Sequence, residues 1–378
     1  MRIVLTGSGS GGHFYPLIAI AEALIIHARD QKLLLPELYL MGPEPYDPEA
    51  LMRHGISFQY VPAGKMRRYF SWKNFTDTAR TLAGVCVATW KLFTLYPDVV
   101  VSKGSYTSVP VILAAIFLRI PIVIHESDAQ PGRANKLVAR FARTIAVTYA
   151  GDNKYFPAHK VVRTGIPTRS HLLTPGAGDP YEQLQFDAHR DLPLILVLGG
   201  SQGAERINDL IATSLDVLLS KYVILHQTGE SHATIVTETA QALTKEKSYL
   251  NRYHVRGFLD VTTLAAALRA AALVISRAGS GSINEIALAG KPSILIPIPE
   301  EISHDQRLNA YTYARTGAAI VMEEKNLTPH LLAAEISRII GDQAIRLRMQ
   351  EAARAFAPVD AAKKIAEILI EIGLEHER

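Results

Sequence analysis

The sequence predicts an α/β protein made of two doubly wound, Rossmann-like domains that face each other across a cleft. Three observations carry that reading. Short β-rich apolar runs alternate with helical patterns, the alternation restarts near the middle, and each half opens on a strand that runs into a glycine-rich turn. In the first half the strands read RIVLTG, ELYLMG, DVVVSKG, IPIVIHE and TIAVTY. Runs this short and this uniformly apolar suit a parallel sheet covered by helices on both faces. The second half repeats the plan in LPLILVLGGSQGAERINDLIATSL, followed by YVILHQTG, YHVRGFL, LVISRAG and PSILIPIP. Between the halves, SHLLTPGAGDPYEQLQFDAHRDLP is rich in Pro, Gly and Asp, as a boundary is, and the switch falls near Gly165–Arg169. AARAFAPVDAAKKIAEILIEIGLEHER reads as helix after the last strand. The expected division is therefore 1–165, 166–345 and a helical segment, 346–378, that packs back on the first domain.

At 378 residues the chain suits two ordinary cores, and 48% hydrophobic with 20% charged residues marks a folded chain. The single cysteine, Cys86, excludes a disulfide framework and a multi-cysteine metal site and fits a reducing compartment. The opening residues go straight into strand and turn, with no signal-peptide pattern. VPVILAAIFLRIPIVIHES is interrupted by Arg119 and Pro121 and is shorter than a bilayer requires. A net charge of +4 favours an anionic partner, but no dense Lys/Arg stripe points to nucleic acid.

Four glycine- or serine-rich turns sit between a strand and a helix: Gly7 to Gly12, Ser102 to Pro110, Gly199 to Asn208 and Arg277 to Ile286. Each presents backbone N–H groups at a helix start, where the dipole favours anions. One such turn is usually only tight backbone geometry; four at strand ends point to diphosphate-bearing ligands. Gly7, Gly9 and Gly12 satisfy a G-x-G-x-x-G spacing. The second strand, however, ends at Met41 and Gly42, where a nicotinamide enzyme needs an acidic residue for the ribose, so a dehydrogenase is disfavoured. No D-x-D or clustered metal-ligand spacing appears. Helix starts and arginines, Arg169 and Arg277, are the candidates to counter diphosphate charge, and no metal or cofactor is expected.

The segments TGSGSGGHFYP, HESDAQPGRANK, GIPTR, GGSQGAERIN, RAGSGSINEIALAGKP and HDQRLNA resemble, in order, the signature segments of the MurG family of GT-B glycosyltransferases. The resemblance implies inverting transfer of N-acetylglucosamine from UDP-GlcNAc to the C4 hydroxyl of the muramyl sugar of lipid I, giving lipid II. It implies a donor held mainly by the second domain and an acceptor diphosphate on the first.

His13 is the expected general base, since an imidazole near its ordinary pKa accepts a hydroxyl proton at neutral pH; a histidine that merely bonds the loop or a phosphate is the alternative. Glu126 and Asp128 end a buried strand and either orient His13, bind a sugar hydroxyl or hold a turn. The family commonly has glutamine and asparagine where this chain has Ser127 and Asp128, and an ionised aspartate only accepts.

On the donor side the resemblance implies Glu285 at the ribose hydroxyls, Asp305 and Gln306 at the sugar hydroxyls, and backbone near Leu259 at uracil. Ser10, Gly11, Gly12, Ser201, Gln202, Ser280, Gly281, Ser282, Ile283 and Asn284 complete that site. Asp305 replaces a glutamine or histidine, which leaves another UDP-hexose open as donor. On the acceptor side it implies Gly9, Tyr106, Thr107, Ser108 and Asn135, with Val109 in place of a usual glycine.

KMRRYFSWKNF interleaves Arg67, Arg68 and Lys73 with Phe70, Trp72 and Phe75, a composition suited to an anionic membrane surface or to packing on the first domain. An acceptor with a polyprenyl tail favours the former and places the protein peripherally at the cytoplasmic face of the plasma membrane. The competing readings are a GT-B transferase acting on another lipid or small acceptor, a UDP-GlcNAc 2-epimerase, and a nucleotide-sugar-binding protein without turnover.

Overall fold

The computed structural model describes residues 1–65, 73–149, 155–168, 178–186, 189–199, 204–301 and 304–376. The chain divides into two compact units, Met1–Ser170 with Pro358–Arg378, and His171–Ala357.

The first unit is built on a seven-stranded sheet, β1 (Arg2–Thr6), β2 (Glu37–Gly42), β3 (Ser57–Tyr60), β4 (Val99–Ser102), β5 (Ile122–Glu126), β6 (Thr144–Val147) and β7 (Val161–Arg163). Its spatial order is β3-β2-β1-β4-β5-β6-β7, and every pairing is parallel. The second unit has six strands, β8 (Leu194–Leu198), β9 (Val223–Gln227), β10 (Tyr253–Arg256), β11 (Ala271–Ser276), β12 (Ser293–Leu295) and β13 (Ala319–Val321), in the order β10-β9-β8-β11-β12-β13. These are also all parallel. In both sheets the order reverses beside the first strand of the unit, the place where doubly wound sheets bind ligands. The expected α/β class is the observed one, and β3, β7 and β13 are strands the sequence did not signal.

The first helix, Gly11–Asp30, meets the length and apolarity of a membrane span, but half of its apolar window is buried inside the protein. Phe14, Leu17, Ile18, Ile20 and Leu24 share a core with Ile3 and Leu5 of β1. Residues Ile365, Ala366 and Leu369 of the last helix, Ala361–His376, close the same core.

The domain expectation needs one correction, at the C-terminal segment. The helix Gln343–Phe356 stays with the second unit, burying Met349 and Ala353 and laying Arg354 over Gly290, so only the chain from Pro358 returns to the first unit. Residues 179–186 lie in the second unit, within the expected 166–345. Asp179 caps the helix Pro180–Leu184 by accepting from the Tyr181 N–H at 2.8 Å, and Leu184 and Phe186 enter the core.

Candidate active site

In the first unit β1, β4 and β5 are neighbours, with Thr6 beside Ser102 and Ser102 beside Ile124, so three turns emerge together. The first two are fitted tightly to each other. A Cβ on Gly7, whose φ is +113°, would lie 2.6 Å from the Gly104 carbonyl oxygen, and one on Gly9 would lie 2.6 Å from Ser105 Oγ. At Gly7 a side chain is excluded by contact with backbone as well as by backbone conformation, whereas at Gly9 the facing atom is a hydroxyl that can turn aside. Ser105 itself has φ 72° and ψ 159°, a region that only glycine visits easily, at a cost of about 1–3 kcal/mol.

His13 lies in the first turn of the helix Gly11–Asp30, half-buried. Ser10, the residue before the helix, makes no side-chain cap; its Oγ is 2.7 Å from His13 Nδ1 instead. The Gly11 and Gly12 N–H groups fall before the first intrahelical bond and remain available to an anion. Desolvation drives the His13 pKa down to about 4, the Lys103 ammonium adds to the fall, and Asp128 opposes it. The imidazole is therefore neutral at pH 7.

Glu126 is buried, and its carboxylate is spent on its own loop. Oε1 accepts from the Asp128 N–H at 3.1 Å; Oε2 accepts from the Gly132 N–H at 2.9 Å and from Asn135 Nδ2 at 3.0 Å. Burial and then Asp128 raise its pKa, while Lys103 and these bonds oppose the rise. The catalytic place expected for Glu126 is corrected to a fastening one. Asp128, half-buried on the same turn, is the carboxylate whose field reaches His13.

The acceptor-side residues are rearranged in the same sense. Gly9 is exposed and Tyr106 half-exposed, but Thr107, Ser108 and Asn135 are buried. Ser108 Oγ donates to the Ser105 carbonyl at 2.9 Å, and Asn135 sits over Gly104 and donates to the His125 carbonyl as well as to Glu126. These three shape the turns from behind, because their side chains point into the unit.

In the second unit β11 and β12 lead into the corresponding loops. The helix Ser280–Leu288 begins after Gly279 with no side-chain cap, which leaves the N–H groups of its first turn unoccupied by a capping oxygen. Ser280, Gly281, Ser282 and Glu285 are half-exposed on one side. Ile283 and Asn284 bury their side chains, that of Ile283 in the core, so Ile283 has only its backbone to offer a ligand. Leu259 is likewise a core side chain and leaves only its backbone for a ligand. Asp305 and Gln306 open the helix His304–Ala314, half-exposed, and Gln306 Oε1 accepts from the Ile298 N–H at 3.4 Å.

Arg277 departs from the expectation that it meets diphosphate. Its Nη1 lies 2.5 Å from Glu324 Oε1 and donates to the Ile296 carbonyl at 3.2 Å, a clasp between the ends of β11, β12 and β13. Arg169, Ser201 and Gln202 lie outside the described residues, as do Arg67, Arg68, Phe70, Trp72 and the side chain of Lys73. Phe75 is described and is exposed. Among the described residues no three His, Cys, Asp or Glu side chains group closely enough to hold a metal ion. Two residues with a part in these sites escaped the sequence reading. Lys103 was legible as a lone lysine ending a buried strand, whereas Glu324, far along the chain from Arg277, gave no local signal.

Comparison with known proteins bears on what this architecture belongs to. Residues 3–147 match the glycosyltransferase family 28 N-terminal domain and residues 194–365 its C-terminal domain. A relative from Shouchella clausii, a UDP-N-acetylglucosamine–N-acetylmuramyl-(pentapeptide) pyrophosphoryl-undecaprenol N-acetylglucosamine transferase, is 36% identical over 94% of this chain and 95% of its own. The chain belongs to the MurG family. It is a glycosyltransferase, and its two parallel-sheet units are those of the GT-B fold. The crystal structure of MurG from Acinetobacter baumannii shares that fold, with a TM-score of 0.75 at 23% identity over 98% of this chain and 99% of that one. So does the UDP-GlcNAc 2-epimerase of Neisseria meningitidis bound to UDP-GlcNAc, at 0.66 and 14% over 98% of this chain and 100% of that one. The fold is thus shared with epimerases, and sequence separates them: the MurG-family relative is far closer in sequence than the epimerase.

Proposed function

We propose that this protein transfers N-acetylglucosamine from UDP-GlcNAc to the C4 hydroxyl of the muramyl sugar of lipid I, with inversion and without a metal ion, forming lipid II. The single observation that carries the chemical part is a neutral imidazole, His13, beside the unoccupied amides of a helix start. As a base it needs its Nε2 lone pair, so Nδ1 carries the proton and donates to Ser10 Oγ. The acceptor hydroxyl then gives its proton to Nε2 as its oxygen attacks the anomeric carbon. The bond to the UDP oxygen breaks with its electron pair leaving on the diphosphate. One displacement converts an α-linked donor into a β-linked product. The amides at the start of the helix Ser280–Leu288 suit the departing charge, and Glu285, half-exposed one turn on, suits two ribose hydroxyls. Asp305 and Gln306 take the donor sugar.

Peripheral attachment to the cytoplasmic face of the membrane is part of the same reading. On the helix Lys73–Leu95, Phe75, Leu82, Trp90 and Phe93 are all exposed and recur on one face, while Gly84, Ala88 and Leu92 are buried on the other. A stripe of this kind suits insertion among lipid headgroups. Flotation with anionic and neutral vesicles tests it: the wild-type protein should float with anionic vesicles, and failure to do so would refute the attachment. Trp90→Ser with Phe93→Ser should abolish co-flotation, and unchanged flotation of that variant would refute the stripe's part in it.

The activity is tested by UDP release from several UDP-sugars with and without a lipid I analogue. Release from UDP-GlcNAc that requires the acceptor is expected. Conversion of UDP-GlcNAc without acceptor would instead establish an epimerase.

A further inference from the structure

Lys103 directly follows β4, with its side chain buried beneath the two turns that carry Gly7 and Gly104. Among the described residues its ammonium has one hydrogen-bond partner, the neutral Ser127 Oγ at 2.8 Å. A buried ammonium costs stability unless something nearby needs its charge. Four ionisable groups share its surroundings: Glu126 at the end of β5 and Asp128 from the turn after it, His125 within β5, whose ring bonds the Gly165 carbonyl, and His13 from the turn after β1. Glu126 is already satisfied by its loop.

His13 is the group whose function the charge would change. It is faced by Ser10 from its own turn, by Asp128 from the turn after β5 and by Lys103 from the turn after β4. Asp128 favours the protonated imidazole. An acceptor diphosphate on the turns of the first unit would favour it further, and a protonated imidazole cannot take a proton from the attacking hydroxyl. Lys103 acts in the opposite sense from a desolvated position, where its field is little screened.

We propose that Lys103 is a positioning residue that adds to desolvation in keeping His13 unprotonated against Asp128 and the bound acceptor, with Ser127 fixing where the ammonium lies. The inference rests on the base role of His13 proposed above. Burial pulls the Lys103 pKa down while Glu126 and Asp128 pull it up, so the role requires these carboxylates to keep it charged at working pH.

The test is an NMR titration of the His13 imidazole in the full chain, without substrate and with a lipid I analogue. In Lys103→Met, the His13 midpoint should rise by about one pH unit or more, with a further rise when the analogue binds. The acid limb of kcat against pH should move up with it. Lys103→Arg should restore the wild-type midpoint, a rescue that packing alone would not give. An unmoved His13 midpoint in folded Lys103→Met would overturn the proposal. If that variant does not fold, the wild-type Lys103 ammonium is titrated directly: charged above pH 7 supports the role, neutral at pH 7 overturns it. Neither readout needs turnover, so loss of the base reading itself, seen as normal turnover in His13→Ala, is distinguishable.

Discussion

The two units share a strand order, a glycine-rich turn after the first strand and a second turn after the fourth, yet they fill those turns differently. In the first unit the turns hold groups that titrate: a half-buried imidazole, a buried ammonium and two carboxylates, with Glu126 pinning one loop from inside. In the second, the Arg277–Glu324 pair ties the loop after β11 to the one after β13, and the helix that starts after β11 carries Glu285 on its rim. One scaffold therefore supports two tasks. Groups whose charge can change suit proton transfer, and fixed dipoles with a rim carboxylate suit holding a nucleotide.

The sharpest way to break this contrast is at the fastenings. Glu126→Ala leaves the Asp128 and Gly132 amides and Asn135 Nδ2 without their acceptor in a buried loop. It should cost about 3 kcal/mol or more of stability in urea unfolding, with the melting of the first unit affected first. A stability change near zero would mean the loop is held otherwise. Glu285→Ala probes the other side. It should weaken UDP binding by about tenfold or more in calorimetry and cost less stability than Glu126→Ala, because the Glu285 carboxylate is half-exposed whereas that of Glu126 is buried. Equal loss of stability would show a structural role instead.

Acid should weaken both units. Desolvation is the leading cause that lowers His13 and His254 to about 4 and His125 and His226 to about 3. Each folded pKa is below the unfolded value near 6.5, so the unfolded chain binds more protons over that window. Stability should be full above about pH 6.5 and fall as pH drops through 6.5 toward 3, measured as urea midpoints at several pH values. A flat profile would mean these imidazoles are solvated. The smallest effect is expected at the strained turn: Ser105→Gly should add about 1 kcal/mol by relieving its positive φ, set against the greater freedom of glycine in the unfolded chain.

What the sequence made legible follows the same physics. Central strands were readable because both faces are buried and the runs are uniformly apolar; β8 and β9 are buried throughout. The unread strands, β3, β7 and β13, are all sheet edges of three or four residues, half-exposed and with no such run. Glycines marked the turns because a side chain cannot fit where Gly7 meets Gly104. Motif resemblance named positions without fixing where side chains point. On the helix Ser280–Leu288 the period of 3.6 already sets Ser282 and Glu285 on one face and Ile283, Ile286 and Ala287 on the other. Thr107, Ser108 and Asn135 offered no such clue, and only the packed structure turns them inward. The pairing of Arg277 with Glu324 depends on β13, itself unread.

The central claim is that a neutral His13 takes the acceptor proton, and single-turnover transfer with His13→Ala at pH 7.5 tests it most directly. The account predicts a fall of about a hundredfold or more in the rate of sugar transfer, with UDP affinity within about twofold of wild type. Transfer at a near-normal rate would contradict it.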